Sequence, residues 1–203
     1  MIDLYAEFGA ALACMPISDA GHLGTWFAGR GLTARKRHQV GGIGITRATL
    51  FQSTKSWEPH PDGARVLVIP AWAGAAYTGY CMAHFSELVD LIAWKPSDPT
   101  ALYQRTGVAV MLGVLGLKVA RRNGFPFRLH GTAEGFVRGG GERDGDNFAG
   151  VLLDEAQAWA KLGTLSQIIF DDVEQGLHVK ALLEAQRLAL PELRVQIEAE
   201  GTA

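Results

Sequence analysis

Only two cysteines, no excess of positive charge and no long apolar run mark this 203-residue chain. Cys14 and Cys81 have no second pair and no histidines at ligand spacing, which excludes a disulfide framework and a zinc ribbon; both read as core residues. Gly, Pro or charge interrupts every apolar stretch short of the roughly 20 residues that span a bilayer, so no membrane role is expected. Asp3 and Glu7 stand where a signal peptide carries positive charge, and the expected compartment is the cytoplasm. A net charge of −2 excludes a general polyanion binder and leaves only local basic clusters to consider.

Several catalytic signatures are missing too. The six histidines, at 22, 38, 60, 84, 130 and 178, form no His-x-x-x-His pair, so a zinc hydrolase is not indicated. No serine sits in a Gly-x-Ser-x-Gly elbow, and Gly139-Gly140-Gly141 lacks the Gly-Lys-Ser/Thr ending of a phosphate loop.

What is present is enough apolar content, 48%, to bury a core unaided. Helical spacing of Leu4, Phe8, Ala11 and Leu12, then of Leu23, Trp26 and Phe27, predicts two short helices, with Ser18-Asp19 capping the second and Thr33 capping a third. Residues 43–51, 65–70, 77–84, 88–94 and 108–112 read as strands of a curled antiparallel sheet. His60-Pro61-Asp62-Gly63 is a turn, and the two prolines of 95–99 argue for a loop there. A helix over 115–122 ends at Asn123-Gly124.

From residue 127 the pattern changes to β–α–β–α–β: strands at 127–130, 151–153, 167–170 and 193–197, helices over 155–162 and 174–188, and a glycine-rich loop after the first strand. Such alternation predicts a small parallel sheet covered by helices. The division this implies is an α+β region over 1–123 and an α/β region over 124–203. Gly139–Asn147 offers almost no core-forming side chain and reads as a mobile surface loop.

Two acidic segments stand out: Ala133-Glu134-Gly135, and Phe170-Asp171-Asp172-Val173-Glu174-Gln175-Gly176 at the end of a buried-strand signature. Carboxylates at the carboxyl end of a strand are where α/β folds place chemistry. Two basic clusters accompany them, Arg30, Arg35, Lys36, Arg37 and His38, and then Lys118, Arg121 and Arg122; phosphate contact and a solvated helix face account for them equally well.

Taken in order, these segments resemble the core of bacterial, phage and plasmid DNA primases with a degenerate toprim domain. The likeness runs over 20–197 through Trp26-Phe27-Ala28-Gly29-Arg30-Gly31-Leu32-Thr33, Val66-Leu67-Val68-Ile69-Pro70, Tyr77-Thr78-Gly79-Tyr80, Leu112-Gly113, Glu134-Gly135 and Asp171 to Gly176. The resemblance implies that Glu134 handles a proton or holds a metal at a reacting phosphate and that Asp171 begins an Asp-x-Asp pair binding Mg²⁺. The second position of that pair is Val173, which ligates nothing; Asp172 is the available substitute, with Glu174 next to it. Glu134, Asp171 and Asp172 are therefore the candidate catalytic and metal residues, with Mg²⁺ bound weakly or not at all. Arg30, Arg35, Lys36, Arg37, Arg121 and Arg122 are the candidate nucleic-acid contacts. The expected role is a catalytically degenerate primase-like protein of a phage or mobile element, acting in DNA replication or processing by binding DNA or a replication partner. Two alternatives stand beside it: an active Mg²⁺-dependent nucleotidyl transferase or nuclease, and a protein-interaction module.

Overall fold

The computed structural model describes residues 2–73, 75–78, 82–85, 87–145 and 147–187. Helix α1 (Leu4–Leu12) is capped by Asp3, which accepts from the Ala6 amide at 3.0 Å, and it buries Phe8 and Ala11. Helix α2 (Gly21–Gly29) has no side-chain cap. Asp19, the expected cap, accepts instead from the Ala34 amide at 2.7 Å and pairs with Arg37, so it orders the start of α3 (Ala34–Gln39), where Thr33 also caps.

The strands that follow close into a five-stranded barrel. Its members are β1 (Gly44–Phe51), β2 (Ser56–Pro59), β3 (Ala64–Trp72), β6 (Leu88–Lys95) and β7 (Asp98–Gln104), in the order β1-β2-β7-β6-β3 and back to β1. The two strands between, β4 (Ala75–Thr78) and β5 (Met82–Phe85), pair as a separate antiparallel hairpin; one continuous strand was expected there. Strand β7 corrects the expected loop. The β6–β7 register breaks between Ala93 and Lys95, and Pro99 falls in that break, where its missing N–H removes no ladder bond.

Alternation explains why β3 and β6 are nearly continuous apolar runs. Val66, Val68, Leu91 and Ala93 fill the barrel with Trp57 and Tyr103. The intervening Leu67, Ile69, Ile92 and Trp94 face outward into a second core. That outer core also takes Phe27 and Leu32 from the N-terminal helices and Phe136, Val137, Ala149 and Val151 from the C-terminal region, so one continuous core joins the two halves of the chain.

The second sheet is mixed, where a parallel one was expected. Its order is β10 (Arg143–Asp144), β11 (Asn147–Leu152), β9 (Phe127–Leu129), β12 (Ile168–Phe170), with β8 (Met111–Leu112) also on β11. Strand β9 runs parallel to both β11 and β12, while β8 and β10 are antiparallel to β11. Helices α4 (Val114–Asn123), α5 (Ala133–Gly139), α6 (Ala158–Leu162) and α7 (Val173–Gln186) accompany it. Leu117 and Ala120 of α4 share a core with Phe127, Leu129, Leu162 and Val179, so α4 and β8 belong with this sheet although they precede residue 124. Gly113 permits the junction between them: its φ is +79°, and a Cβ there would lie 2.2 Å from the Ala149 carbonyl oxygen.

Two further expectations change. The glycine-rich stretch after β9 contains α5, and Gly139–Asn147 is not a bare loop but the turn and hairpin that start β10 and β11, with Gly141 buried. Cys14 is exposed rather than in the core, whereas Cys81 and the strand expected at 193–197 lie outside the described residues.

Two carboxylates that no motif singled out, Asp90 buried and Glu142 half-buried, organise the backbone. Asp90, fully buried in β6, accepts five amide hydrogens: Leu91, Arg105 and Thr106 on Oδ1 at 2.8, 2.8 and 2.9 Å, and Val108 and Ala109 on Oδ2 at 3.0 and 3.2 Å. It thereby fixes the turn from the barrel to the second sheet. Removing the acceptor strands these amides, so Asp90→Ala should cost on the order of 3–5 kcal/mol in urea unfolding and Asp90→Asn less.

Glu142 does similar work for α4, whose N-cap, Gly113, has no side chain. Its Oε2 accepts from the Gly116 amide at 3.2 Å. Burial pushes its carboxyl up to about 7, against the lowering effect of the Gly116 and Leu115 amides and Lys118. A folded-state pKa above the unfolded value means the native state binds the extra proton. Stability from this group is full below about pH 4.5 and is lost as pH rises through about 7. Glu142→Gln keeps an acceptor without the charge, so it should raise stability at pH 8 by up to about 3 kcal/mol and flatten the pH dependence of the melting temperature between those limits.

Candidate functional site

Parallel pairing of β9 with β12 sets Phe127, Arg128 and Leu129 against Ile168, Ile169 and Phe170. The next residues of the two strands, His130 and Asp171, therefore emerge side by side at the carboxyl edge of the sheet. His130 is buried, and its Nδ1 lies 3.2 Å from both carboxylate oxygens of Asp171. The Gly131 amide donates to Asp171 Oδ2 at 3.3 Å, and Arg128, two residues before His130 on β9, brings Nη1 to 3.7 Å from Oδ1. Asp171 is thus a carboxylate ringed by an imidazole, an amide and a guanidinium.

Thr132 ends the connection and caps α5 by accepting from the Gly135 amide at 2.9 Å. That cap places Glu134 in the first turn, buried, with each oxygen held by a different arginine: Oε2 by Arg30 Nη2 at 3.0 Å and Oε1 by Arg138 Nη2 at 3.1 Å. Arg30 comes from the far end of α2, lies over the Trp26 ring and also donates to the Pro96 carbonyl at 2.7 Å. Gly135 sits between the two acidic centres. A Cβ there would touch His130 Nδ1 at 3.5 Å and Asp171 Oδ2 at 3.7 Å and would press on the capping Thr132 Oγ1 at 3.0 Å.

Of the other expected acids, Asp172 accepts from the Gln175 amide at 2.8 Å as the N-cap of α7, and Glu174 is exposed in that helix's first turn. Gln175 returns the contact by accepting from the Asp171 amide at 3.1 Å. Val173 is 79% exposed. Asp171 and Glu134 are therefore brought to one corner, while Asp172 is turned to helix capping.

The donor set does not fit Mg²⁺. A divalent cation needs free carboxylate oxygens, yet both oxygens of Glu134 face guanidinium groups and Asp171 faces a guanidinium and an imidazole. Among the described residues no three His, Cys, Asp or Glu side chains converge on one point that could hold a metal ion.

The basic candidates scatter. Arg37 is 4% exposed and fully engaged, donating to the carbonyls of Leu32, Pro16 and Ser18 and to Asp19 while lying over Phe27, so it is a core strut and not a phosphate contact. Lys36 donates from Nζ to the Arg138 carbonyl, and Arg121 to the carbonyls of Ala160 and Lys161. Arg35 and Arg122 are exposed.

His130, Arg128 and Arg138 were not singled out from sequence, although one signal was there. His130 ends the apolar run of β9 as Asp171 ends that of β12, so the same strand-end logic applies to both. Chemically, the corner can hold an anion beside Arg128 and Arg138, or move a proton between His130 and Asp171. No protein-family model, curated protein or solved structure matches this chain.

Because the two arginines stay behind when the acid is removed, Glu134→Ala should lower stability by about 3–5 kcal/mol and Glu134→Gln by less. Millimolar Mg²⁺ should leave the melting temperature of the native protein unchanged, and a dose-dependent rise would show that the carboxylates are free to ligate.

Proposed function

We propose that this chain is a primase-like protein with a degenerate toprim-like region, which takes part in DNA transactions by binding and not by metal-dependent catalysis. The observation that carries this is the double arginine clamp on Glu134. At the position where the resemblance requires a metal-handling carboxylate, the protein has installed two positive charges, and these favour an anionic ligand over a cation. The β9–α5 connection, which sets Glu134 in the first turn of α5 close to Asp171 at the end of β12, supports the toprim-like reading. Glu134 has each oxygen on an arginine, and Asp171, partly exposed, lies beside His130 and Arg128.

A second reading, as a protein-interaction module, draws on two observations. Arg37, Arg30 and Lys36 are turned to internal partners, which depletes the expected basic cluster. In addition, Val173 and Leu177 are exposed on α7, which follows β12, the last strand of the sheet among the described residues.

Fluorescence anisotropy with labelled single- and double-stranded DNA separates these. Micromolar binding that is unchanged by EDTA, with no nuclease or primer synthesis in Mg²⁺ or Mn²⁺, is expected. Metal-dependent activity abolished by Asp171→Asn would favour the enzyme, and no binding at low salt would favour the protein-interaction role.

A further inference from the structure

A wide cleft lies on the outer face of β1 and β3, beside α1 and α2. It has a volume of about 620 Å³, and its walls include Leu23, Ile45, Arg47, His60 and Arg65. A second cleft of about 240 Å³ shares Leu23, Ile45 and Arg65 with it and continues past His22 to Trp26 and Pro96. The two form one elongated groove with an apolar floor.

Its charge is one-sided. Arg47 and Arg65 are directly opposite each other in the β1–β3 ladder, both exposed, and His60 and His22 are exposed along the same groove. Among the described residues no aspartate or glutamate lines either cleft. Like charges directly opposite in a sheet are destabilising, and a chain of net charge −2 has acids enough to have offset them. An anion seated between the guanidiniums removes that repulsion and gives the pair a role.

We propose that this groove binds single-stranded nucleic acid, with phosphates on Arg47 and Arg65 and bases on the apolar floor towards Trp26; the assignment rests on the nucleic-acid reading above and locates its surface. Charge complementarity selects a polyanion. The apolar floor and the indole select a single strand, because a duplex hides its base faces in its own stack. The groove also ends at Trp26 and Pro96, both of which Arg30 contacts, so it leads towards the clamp on Glu134.

The test is anisotropy of a fluorescein-labelled 12-nucleotide oligo(dT) with the full chain, across a salt series. Arg47→Glu/Arg65→Glu should weaken binding by on the order of 10- to 100-fold, and Arg47→Ala/Arg65→Ala should reduce the slope of log K against log salt by about 1.4, or about 0.7 per lost phosphate contact. Lys180→Ala, exposed on α7, should bind as the native protein does. Circular dichroism melts guard against misfolding, and the alanine pair should melt no lower than the native protein because it relieves a repulsion. Native binding that both double variants leave intact overturns the groove while the DNA reading stands. If the native protein fails to bind the oligonucleotide at 20–50 mM salt, both fall, and Arg65-dependent binding of poly-glutamate would then make the occupant an acidic protein segment.

Discussion

The buried carboxylate of Glu134 between two guanidiniums is the interaction on which the rest of this structure depends. Arg30 reaches it from the end of α2 and in the same stroke holds the Pro96 carbonyl in the β6–β7 turn. Arg138 reaches it from one turn further along α5. Three separate parts of the chain, the N-terminal helices, the barrel and the second sheet, thus meet at one acid. A carboxylate with 3% of its surface exposed is costly to desolvate unless its charge is met, and meeting it requires all three parts to be in place. The apolar core beneath supplies the driving force, through Phe27, Trp94, Phe136 and Val137 in one cluster, and the ion pairs set the register in which those surfaces meet.

The same device recurs at other junctions. Arg105 grips Glu7 with two hydrogen bonds of 2.8 and 3.0 Å, tying α1 to the end of β7. Asp90 collects the amides of the loop that leaves the barrel, and Glu142 caps α4 from the β10 hairpin. In each case a carboxylate contributed by one element satisfies donors of another, so the polar contacts form only when the tertiary structure does. Buried groups of this kind add little net stability when complete and cost much when broken, which makes them specifiers of arrangement more than sources of energy.

Legibility of the sequence followed periodicity closely. Helices α1, α2, α4 and α7 show helical spacing or a clear stop such as Asn123-Gly124, and each lies close to where that pattern puts it. Strands β3 and β6 show as apolar runs because both their faces are buried. What escaped were elements whose composition argues against them. Strand β7 carries Pro99, and α5 is built on Ala-Glu-Gly with Gly139 at its end, so its order comes from the Thr132 cap and the arginine clamp more than from helix propensity. Barrel closure was invisible for a different reason. It turns on the short strand β2 and a single parallel bridge between Ser56 and Gln104, a long-range contact with no local signature. At the candidate site, Asp171 could be read from its strand-end position, whereas Glu134 stands in the first turn of α5, within a stretch that reads as a loop, and the partners of both acids left no mark in the sequence. Arg30 lies 104 residues from Glu134, and nothing in either segment marks the pair.

The fate of the acids also shows that a carboxylate in place of Val173 would not by itself complete a cation site. Asp171 is turned to His130 and the Gly131 amide, Asp172 to the first turn of α7, and Glu134 to two arginines. The three carboxylates share no donor among these contacts. A carboxylate placed at position 173 would start α7 in a site now 79% exposed, where it would favour the positive end of the helix without approaching Glu134's occupied oxygens. For Glu134 to meet a cation, the guanidiniums of Arg30 and Arg138, which join the N-terminal helices and the second sheet at this acid, would first have to be displaced.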